Sequence, residues 1–309
     1  MYEAFYGFNK KPFSLTFDPD LLYMGQTHST ALSMLEYGVL SQSGFTVITG
    51  EVGSGKTTIC RHLLDQINES VKIGLITNTH SNMGQLLPWV MHAFGEEYRD
   101  ENPVAQYEGF TGFLQKQFDS QERTVLIIDE AQNLGIPLLE ELRMLSNLNN
   151  VVEQCLQIIL IGQPQLRELL MKPELMQFAQ RVAADYHIAA LSPTETVSYI
   201  KHRLVMAGAT EDVFTPHAYM LIHAASRGVP RLINVLCDTA LSFAYADEVR
   251  IIHEDYLRGV LRERAEGGLL ALGQNPLKQF GEAAFDTPDL DNLLGSVLNN
   301  GAAGGQDGR

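Results

Sequence analysis

Apolar runs alternate with helical patterns over the first two thirds of the chain. Four runs are rich in Val and Ile and are bounded by Gly or Asp, which is typical of buried strands. They cover residues 45–49, 71–77, 124–129 and 156–162. A fifth, weaker run covers residues 185–191. The segments between these runs repeat apolar residues at helical spacing, so the pattern predicts an α/β fold with a parallel sheet and helices on both faces.

The pattern changes after residue 191. Residues 192–265 contain only helical patterns, which predicts a small all-helical domain after an α/β core at 44–191. The first of these helices has a capping-box signature. Ser192 is the expected N-cap, Pro193 suits the first helical position, and Glu195 lies three residues after the cap.

The two ends of the chain differ in composition from its middle. Residues 1–43 are rich in aromatic side chains and end in a helical pattern. Residues 266–309 are rich in glycine, which predicts a flexible tail. Within the tail, residues 287–299 place Leu and Val on one helical face. Two interpretations stay open for this segment, a turn that packs back on the body or a docking helix for a protein partner.

Charge and cysteine content narrow the class of protein. The 309 residues carry a formal net charge of −15, which disfavours broad binding to nucleic-acid phosphates. No run of about 18 apolar residues predicts a membrane span, and the first residues lack a secretory signal pattern. Cys60, Cys155 and Cys237 lie far apart in apolar stretches, which favours buried, reduced thiols. These features predict a cytoplasmic protein.

The stretch GEVGSGKTT joins the first predicted strand to a helical pattern and matches the phosphate-loop motif G-x-x-x-x-G-K-[ST]. Its glycines allow backbone N–H groups to surround a triphosphate, and the helix directs its positive dipole end at the same phosphates. Lys56 is expected to reach the β- and γ-phosphates of ATP, and Thr57 to hold Mg²⁺ through its hydroxyl. The predicted nucleotide-binding residues of the loop are Gly50, Glu51, Val52, Gly53, Ser54, Gly55, Lys56, Thr57 and Thr58.

Polar residues follow the ends of three other predicted strands. Asp129 and Glu130 come directly after the third, where Asp129 is expected to bind nucleotide-associated Mg²⁺ and Glu130 to polarise the attacking water. The carboxyl ends of parallel strands share one edge of the sheet, where α/β proteins place ligands. Gln163 lies at the end of the fourth strand. Its side chain either faces the γ-phosphate, or the residue only forms a turn before the following proline. Asn78 follows the second strand, as a hydrogen-bond partner of Glu130 or a turn-former.

Two arginines are candidates for phosphate contact because a guanidinium donates two parallel hydrogen bonds. Arg181 precedes the fifth predicted strand, and Arg231 opens a predicted helix directly after Pro230. From the residues alone, a surface ion pair is the better interpretation of both.

Taken together, these stretches resemble AAA+ ATPases of the general-secretion protein A type, called ExeA-like, with relatives at pilus and exopolysaccharide loci. The resemblance covers residues 1–261 and is carried by the amino-terminal FYGF…PF.LT.DP…Y pattern and by GFTVITGEVGSGKTT, LIIDEAQNL, IILIGQPQL, SPTETVSYIKHRL and SRGVPRLINVLCD. It implies a P-loop core with a helical lid. It also implies that residues 1–43 form a linker packing on the ATPase core, with KKPFSLTFDP near the adenine.

The resemblance also implies residue roles. Gln163 falls at the first sensor position, and Arg231 falls at the second sensor position, which contacts the γ-phosphate. Arg181 falls where family members often have an arginine, which implies a finger that reaches into the site of the next subunit and hence a homo-oligomer. Where relatives often have a second basic residue before the last strand, this chain has Asp185. The family archetype continues into a transmembrane helix and a peptidoglycan-binding domain, whereas this sequence continues into the glycine-rich tail.

The leading functional interpretation is a Mg²⁺-dependent ATP hydrolase that drives or times assembly of an envelope system for secretion, pili or exopolysaccharide export. It would be cytoplasmic, or peripheral at the inner membrane through a protein partner. The alternative is an ATP-dependent DNA-transaction ATPase, which the basic residues at 201–203, Arg258, Arg262 and Arg264 favour and the acidic total opposes. A third interpretation, a nucleotide-bound scaffold without hydrolysis, is disfavoured by Glu130.

Overall fold

The computed structural model describes residues 1–41, 44–67, 70–77, 79–80, 83–96, 102–150 and 156–267. The chain divides into two compact units. The first is Gln26–Ala189, and the second combines Met1–Gly25 with the residues from Ala190 onward. Asn78, Cys155 and the candidate docking helix at 287–299 lie outside the described residues.

The first unit is built on a five-stranded sheet in which every strand pair is parallel. The strands are β1 (Phe45–Gly50), β2 (Val71–Ile76), β3 (Arg123–Ile128), β4 (Leu156–Gly162) and β5 (Val182–Ile188), in the order β2-β3-β4-β1-β5. The three central strands are buried along nearly their whole length, which explains their continuous apolar runs. The predicted α/β class with a parallel sheet is confirmed.

The fifth strand begins earlier than its apolar residues indicate. The sequence places it at 185–191, whereas β5 covers Val182–Ile188 at one edge of the sheet. Along β5, partly buried and exposed residues alternate. An edge strand of this kind carries only half the apolar signal of a central strand, so its bounds are poorly marked in the sequence.

Helices cover both faces of the sheet. In the described part of the chain the helices are α1 (Tyr2–Tyr6), α2 (Gln26–Ser41), α3 (Lys56–Gln66), α4 (Leu87–Ala93), α5 (Pro103–Asp119), α6 (Gly135–Leu145), α7 (Pro164–Leu170), α8 (Met176–Ala179), α9 (Pro193–Met206), α10 (Pro216–Ser226), α11 (Pro230–Ala246) and α12 (Glu254–Gly267). Successive residues of β3 point to opposite faces of the sheet. Val125 and Ile127 pack with α2 and α3, while Leu126 and Ile128 pack with α4, α5 and α6.

No described helix is both long and apolar enough to cross a membrane.

The second unit has its own apolar core, formed by α9 to α12 and the amino-terminal segment. The capping box of α9 is confirmed. Ser192 Oγ accepts from the backbone N–H of Glu195 at 3.2 Å, and Glu195 Oε2 accepts from the backbone N–H of Ser192 at 3.0 Å.

The amino-terminal segment, predicted from the sequence as one linker, is divided between the two units. Residues 1–25 belong to the helical unit, and α2 packs on the sheet. Tyr2, Phe8 and Phe13 are buried in the helical core, which removes a large apolar surface from water. The buried Arg203 secures the segment by donating from Nε to the carbonyl of Pro12 over 2.6 Å.

Candidate nucleotide-binding site

The loop between β1 and α3 has the backbone conformation that its glycines predict. Gly53 and Gly55 have φ values of 83° and 97°, in the left-handed region that favours glycine. A Cβ atom on Gly50 would lie 2.9 Å from the carbonyl oxygen of Ile188, so a side chain is excluded there by a neighbouring backbone. The loop therefore brings the main chain close to whatever lies at the start of α3.

Lys56, the first residue of α3, points back over this loop. Its Nζ donates to the carbonyls of Gly50 and Glu51 over 2.8 and 2.9 Å. Burial lowers the pKa of Lys56, and the charges of Glu130, Asp129 and Glu51 partly oppose that shift. A largely buried ammonium held at a glycine-rich turn is suited to binding an anion.

Thr57 and Asp129 meet next to Lys56, although they are far apart in the chain. Thr57 Oγ1 donates to Asp129 Oδ2 over 2.9 Å. Asp129 Oδ1 accepts from the backbone N–H of Glu130 at 2.9 Å, which fixes the carboxylate plane. The predicted juxtaposition of the loop threonine with the acid after the third strand is present in the structure.

Glu130 has an unusual backbone conformation, with φ of 54° and ψ of 37°. A left-handed conformation is uncommon for a residue with a side chain, and such positions often occur at functional sites. Two amides donate to its Oε2, one from Gln132 at 2.6 Å and one from Gln163 at 3.0 Å. Burial tends to raise the pKa of Glu130, but these hydrogen bonds and the charge of Lys56 outweigh burial and lower it.

Thr79 supports the same turn from the end of β2. Its hydroxyl lies 3.2 Å from the carbonyl of Asp129 and 2.8 Å from the carbonyl of Glu130. From the sequence, the neighbouring Asn78 was a candidate partner of Glu130, and Thr79 was not predicted. A hydroxyl that contacts backbone leaves no motif in the sequence, so no local signal could have identified it.

His28 is a second residue at the phosphate loop that no sequence motif predicts. It is buried in the first turns of α2, and its Nε2 lies 2.9 Å from the carbonyl oxygen of Ser54 in the loop. Because a carbonyl only accepts, Nε2 is the protonated ring nitrogen. A Cβ on Gly55 would approach this nitrogen to 2.9 Å. A histidine of α2, the helix that precedes β1, therefore holds the backbone of the phosphate loop by a hydrogen bond.

The two candidate arginines occupy different units. Arg181 lies directly before β5 and is partly buried. Its Nη1 donates to the carbonyl of Arg143 at 3.1 Å and to Ser146 Oγ at 2.7 Å, both at the carboxyl end of α6. Arg231 is exposed in the first turn of α11, in the helical unit.

The residues at the loop fit ATP and Mg²⁺. The Thr57 hydroxyl and the Asp129 carboxylate are adjacent hard oxygen donors, and Mg²⁺ is commonly held by one or two such protein groups together with phosphates and water. The glycine backbone and Lys56 fit the triphosphate, because side chains that would fill the loop are absent at its turn positions. Val52 and Thr58 lie within the same loop and helix start and complete the predicted set.

Comparison with known proteins agrees with this fold. Residues 39–170 match the AAA domain family. Among solved structures, Cdc6p from Pyrobaculum aerophilum is similar with a TM-score of 0.62 at 13% identity, covering 94% of this chain and 83% of that chain. The ORC2 protein of Aeropyrum pernix, in ADPNP and ADP complexes, is similar with a TM-score of 0.59 at 17% identity, covering 86% and 74%. The chain thus has the P-loop fold of AAA+ proteins.

A relative from a secretion pathway is more similar in sequence. The chain is 39% identical over 257 residues to general secretion pathway protein A of Aeromonas hydrophila. The match covers 82% of this chain and 47% of that protein, so the chain spans about half the length of the curated relative it matches. The resemblance to AAA+ ATPases of the general-secretion protein A type is confirmed.

Proposed function

We propose that this chain binds ATP with Mg²⁺ and hydrolyses it. The observation that carries the proposal is the convergence of Lys56, Thr57, Asp129 and Glu130 at the carboxyl edge of β1 and β3. Phosphoryl transfer to water requires a cation at the phosphates, oxygen ligands for the metal and a general base, and these four residues supply them.

Each residue has a distinct role in this proposal. Bound ATP and Mg²⁺ supply a polarised γ-phosphoryl group. The loop N–H groups and Lys56 bind the phosphates, and Thr57 with Asp129 holds the metal. Glu130 accepts a proton from the attacking water, for which it must be ionised, and its lowered pKa keeps it so at neutral pH.

Gln163, Arg231 and Arg181 have supporting roles. Gln163 orients the γ-phosphate and the water from the end of β4. Arg231 acts as the second sensor. Arg181 acts in the site of a neighbouring subunit of a homo-oligomer, through guanidinium nitrogens other than Nη1, which already donates within its own unit.

We further propose that hydrolysis drives or times the assembly of an envelope system. The support is the similarity to a protein named for the general secretion pathway. In this proposal the chain is cytoplasmic and reaches the inner membrane only through a protein partner, with residues 287–299 as the docking segment. The similarities to ORC2 and Cdc6p are at 13 to 17% identity and concern the fold, so they add nothing to the DNA alternative. Tight binding of duplex DNA in a filter-binding assay over a range of salt concentrations would favour that alternative.

The decisive experiment compares ATP binding by calorimetry with phosphate release. Lys56→Ala is expected to lose measurable ATP binding, because the buried ammonium is removed from the loop. Glu130→Gln is expected to bind ATP like the unmodified protein but to release phosphate roughly 100-fold more slowly or worse, because general-base catalysis contributes that much.

Matched controls use exposed residues of the same types. Lys72→Ala on β2 and Glu168→Gln on α7 are expected to leave binding and phosphate release unchanged. ATP binding that survives Lys56→Ala unchanged would remove the phosphate-loop assignment. Equal rates for Glu130→Gln and the unmodified chain would leave a nucleotide-binding scaffold as the better description.

A further inference from the structure

Gln132 connects the acid after β3 to the end of β4. Its Nε2 donates to Glu130 Oε2 over 2.6 Å, and its Oε1 accepts from the backbone N–H of Gln163 at 2.9 Å. The side-chain amide of Gln163 donates to the same Glu130 oxygen over 3.0 Å. Three residues thus form a closed ring of hydrogen bonds, and two of its three connections involve Gln132.

The orientation of the Gln132 amide follows from its partners. A backbone N–H must meet the amide oxygen, and an ionised carboxylate must meet the NH₂ group. In the reverse orientation the NH₂ group would face the backbone N–H of Gln163, and the amide oxygen would face the Glu130 carboxylate. Neither pair could form a hydrogen bond. The ring therefore has one hydrogen-bond pattern as long as Glu130 is ionised.

The surrounding backbone is shaped to bring Gln132 against β4. The left-handed Glu130 turns the chain directly after β3, and Ala131–Asn133 form a single turn of 3-10 helix that returns Gln132 toward the sheet. A Cβ on Gly162 would lie 2.8 Å from Gln132 Oε1. Glycine at the end of β4 thus leaves the space that the Gln132 amide occupies.

Both side-chain amides contact one carboxylate oxygen. Hydrogen bonds to a charged acceptor are roughly twice as strong as those between neutral groups, so Oε2 is firmly held. Oε1 takes no part in the ring and is the oxygen left to accept a proton. Moving Gln163 would disturb both of its contacts in the ring and so would shift the Glu130 carboxylate.

We propose that Gln132 is a positioning residue for ATP hydrolysis, which holds Glu130 by Oε2, presents Oε1 to the attacking water and couples the carboxylate to Gln163. This inference rests on the proposed ATPase activity. It assigns Gln132 no contact with the nucleotide, so its effect is on the chemical step and not on ATP binding.

The test is Gln132→Met, which keeps the length of the side chain and removes its amide. Single-turnover phosphate release is measured at neutral pH with the enzyme in excess over Mg²⁺–ATP, so that the chemical step is read apart from product release. The expected single-turnover rate is about 10- to 100-fold below that of the unmodified chain, since a misplaced base loses part of its contribution. ATP affinity by calorimetry is expected to stay within about 2-fold, a change too small to reflect a lost contact.

The split between rate and affinity separates positioning from a general structural role. A variant that disturbs the phosphate loop or the fold loses ATP affinity together with rate, whereas a displaced Glu130 carboxylate slows only the chemical step. Gln132→Glu has the same size as glutamine but has no amide group to donate to Glu130. It is expected to slow single-turnover phosphate release to a similar extent as Gln132→Met. This second variant also keeps the test open if Gln132→Met does not fold.

The matched control is Gln165→Met, the same chemical change at an exposed position of α7, with no expected change in rate or ATP affinity. If Gln132→Met and Gln132→Glu keep the unmodified rate while Glu130→Gln is slow, the positioning role is overturned and the ATPase proposal stands. If Glu130→Gln is also unchanged, both are overturned. A loss of ATP affinity as large as the loss of rate overturns the positioning role too, whereas a slowed single-turnover rate with retained ATP affinity supports the inference.

Discussion

At the scale of single residues, the site depends on side chains that form hydrogen bonds with the backbone of the site and are assigned no contact with the nucleotide. Thr79 holds the turn at Asp129 and Glu130, and His28 holds the loop at Ser54. Such contacts fix the positions of the proposed catalytic groups because buried carbonyls strongly require partners. The chemistry proposed for Lys56 and Glu130 therefore depends on residues that no phosphate-loop motif includes.

His28 gives a prediction at this scale. His28→Ala removes the donor to the Ser54 carbonyl, and losing a buried hydrogen bond costs about 1–3 kcal/mol. We expect ATP affinity to fall about 10-fold, because the loop loses part of its preorganisation. Calorimetric titration with ATP measures this change.

The control for this prediction is His92→Ala, an exposed histidine on α4. It is expected to bind ATP like the unmodified chain. Unchanged affinity in His28→Ala would show that the loop keeps its conformation without the histidine.

At the scale of elements, helix starts carry the clearest local signals. The capping box that begins α9 is readable in the sequence and present in the structure. The start of α4 is capped differently, since Glu141 Oε2 on α6 accepts from the backbone N–H of Leu86 at 2.8 Å. That acid is placed against a helix start by the packing of two distant segments, a role that its own helical position does not reveal.

The α9 cap gives a prediction for stability. Ser192→Ala removes the acceptor for the backbone N–H of Glu195 and is expected to lower the free energy of unfolding by about 1 kcal/mol. Ser192→Thr keeps the hydroxyl and should lie within a few tenths of a kcal/mol of the original, roughly. Urea unfolding followed by circular dichroism measures both. Equal loss in the two variants would assign the effect to packing of the side chain instead of capping.

At the scale of the whole molecule, each unit has a separate apolar core and a buried thiol. Cys60 lies in α3 beside the loop, and burial raises its pKa to about 12. Cys237 lies in α11, and burial raises its pKa well above the ordinary value. Both are free cysteines in buried positions, as the sequence predicts for them. Neither should react with a thiol reagent until its own unit opens.

Thiol labelling therefore predicts how nucleotide affects each unit. In a Cys155→Ser background, Mg²⁺–ATP at about 100 times its dissociation constant should slow labelling of Cys60 roughly 100-fold, because the ligand binds only the closed core unit. Peptide mass spectrometry reads the two cysteines separately. Adding Lys56→Ala should abolish the protection of Cys60. If Mg²⁺–ATP left the labelling rate of Cys60 unchanged in the chain with Lys56 intact, ATP binding to the core unit would be contradicted.

The sequence by itself determined the elements whose causes are local. Continuous apolar runs mark the central strands because these are buried on both faces, and the glycine pattern marks the phosphate loop because only glycine adopts its left-handed turns easily. Asp129 and Glu130 follow from the same logic, since acids directly after a buried strand lie at the ligand edge of a parallel sheet.

Tertiary structure alone decided what depends on distant contacts. Gln132 meets the backbone of a residue 31 positions away, and His28 meets one 26 positions away. The first 25 residues join the helical unit and not the sheet, because their buried aromatics find their apolar partners there. These contacts depend on which surfaces pack against each other in the folded chain, and no local stretch of sequence specifies that. The sequence therefore specified the proposed catalytic groups, whereas the fold selected the residues that hold them in place.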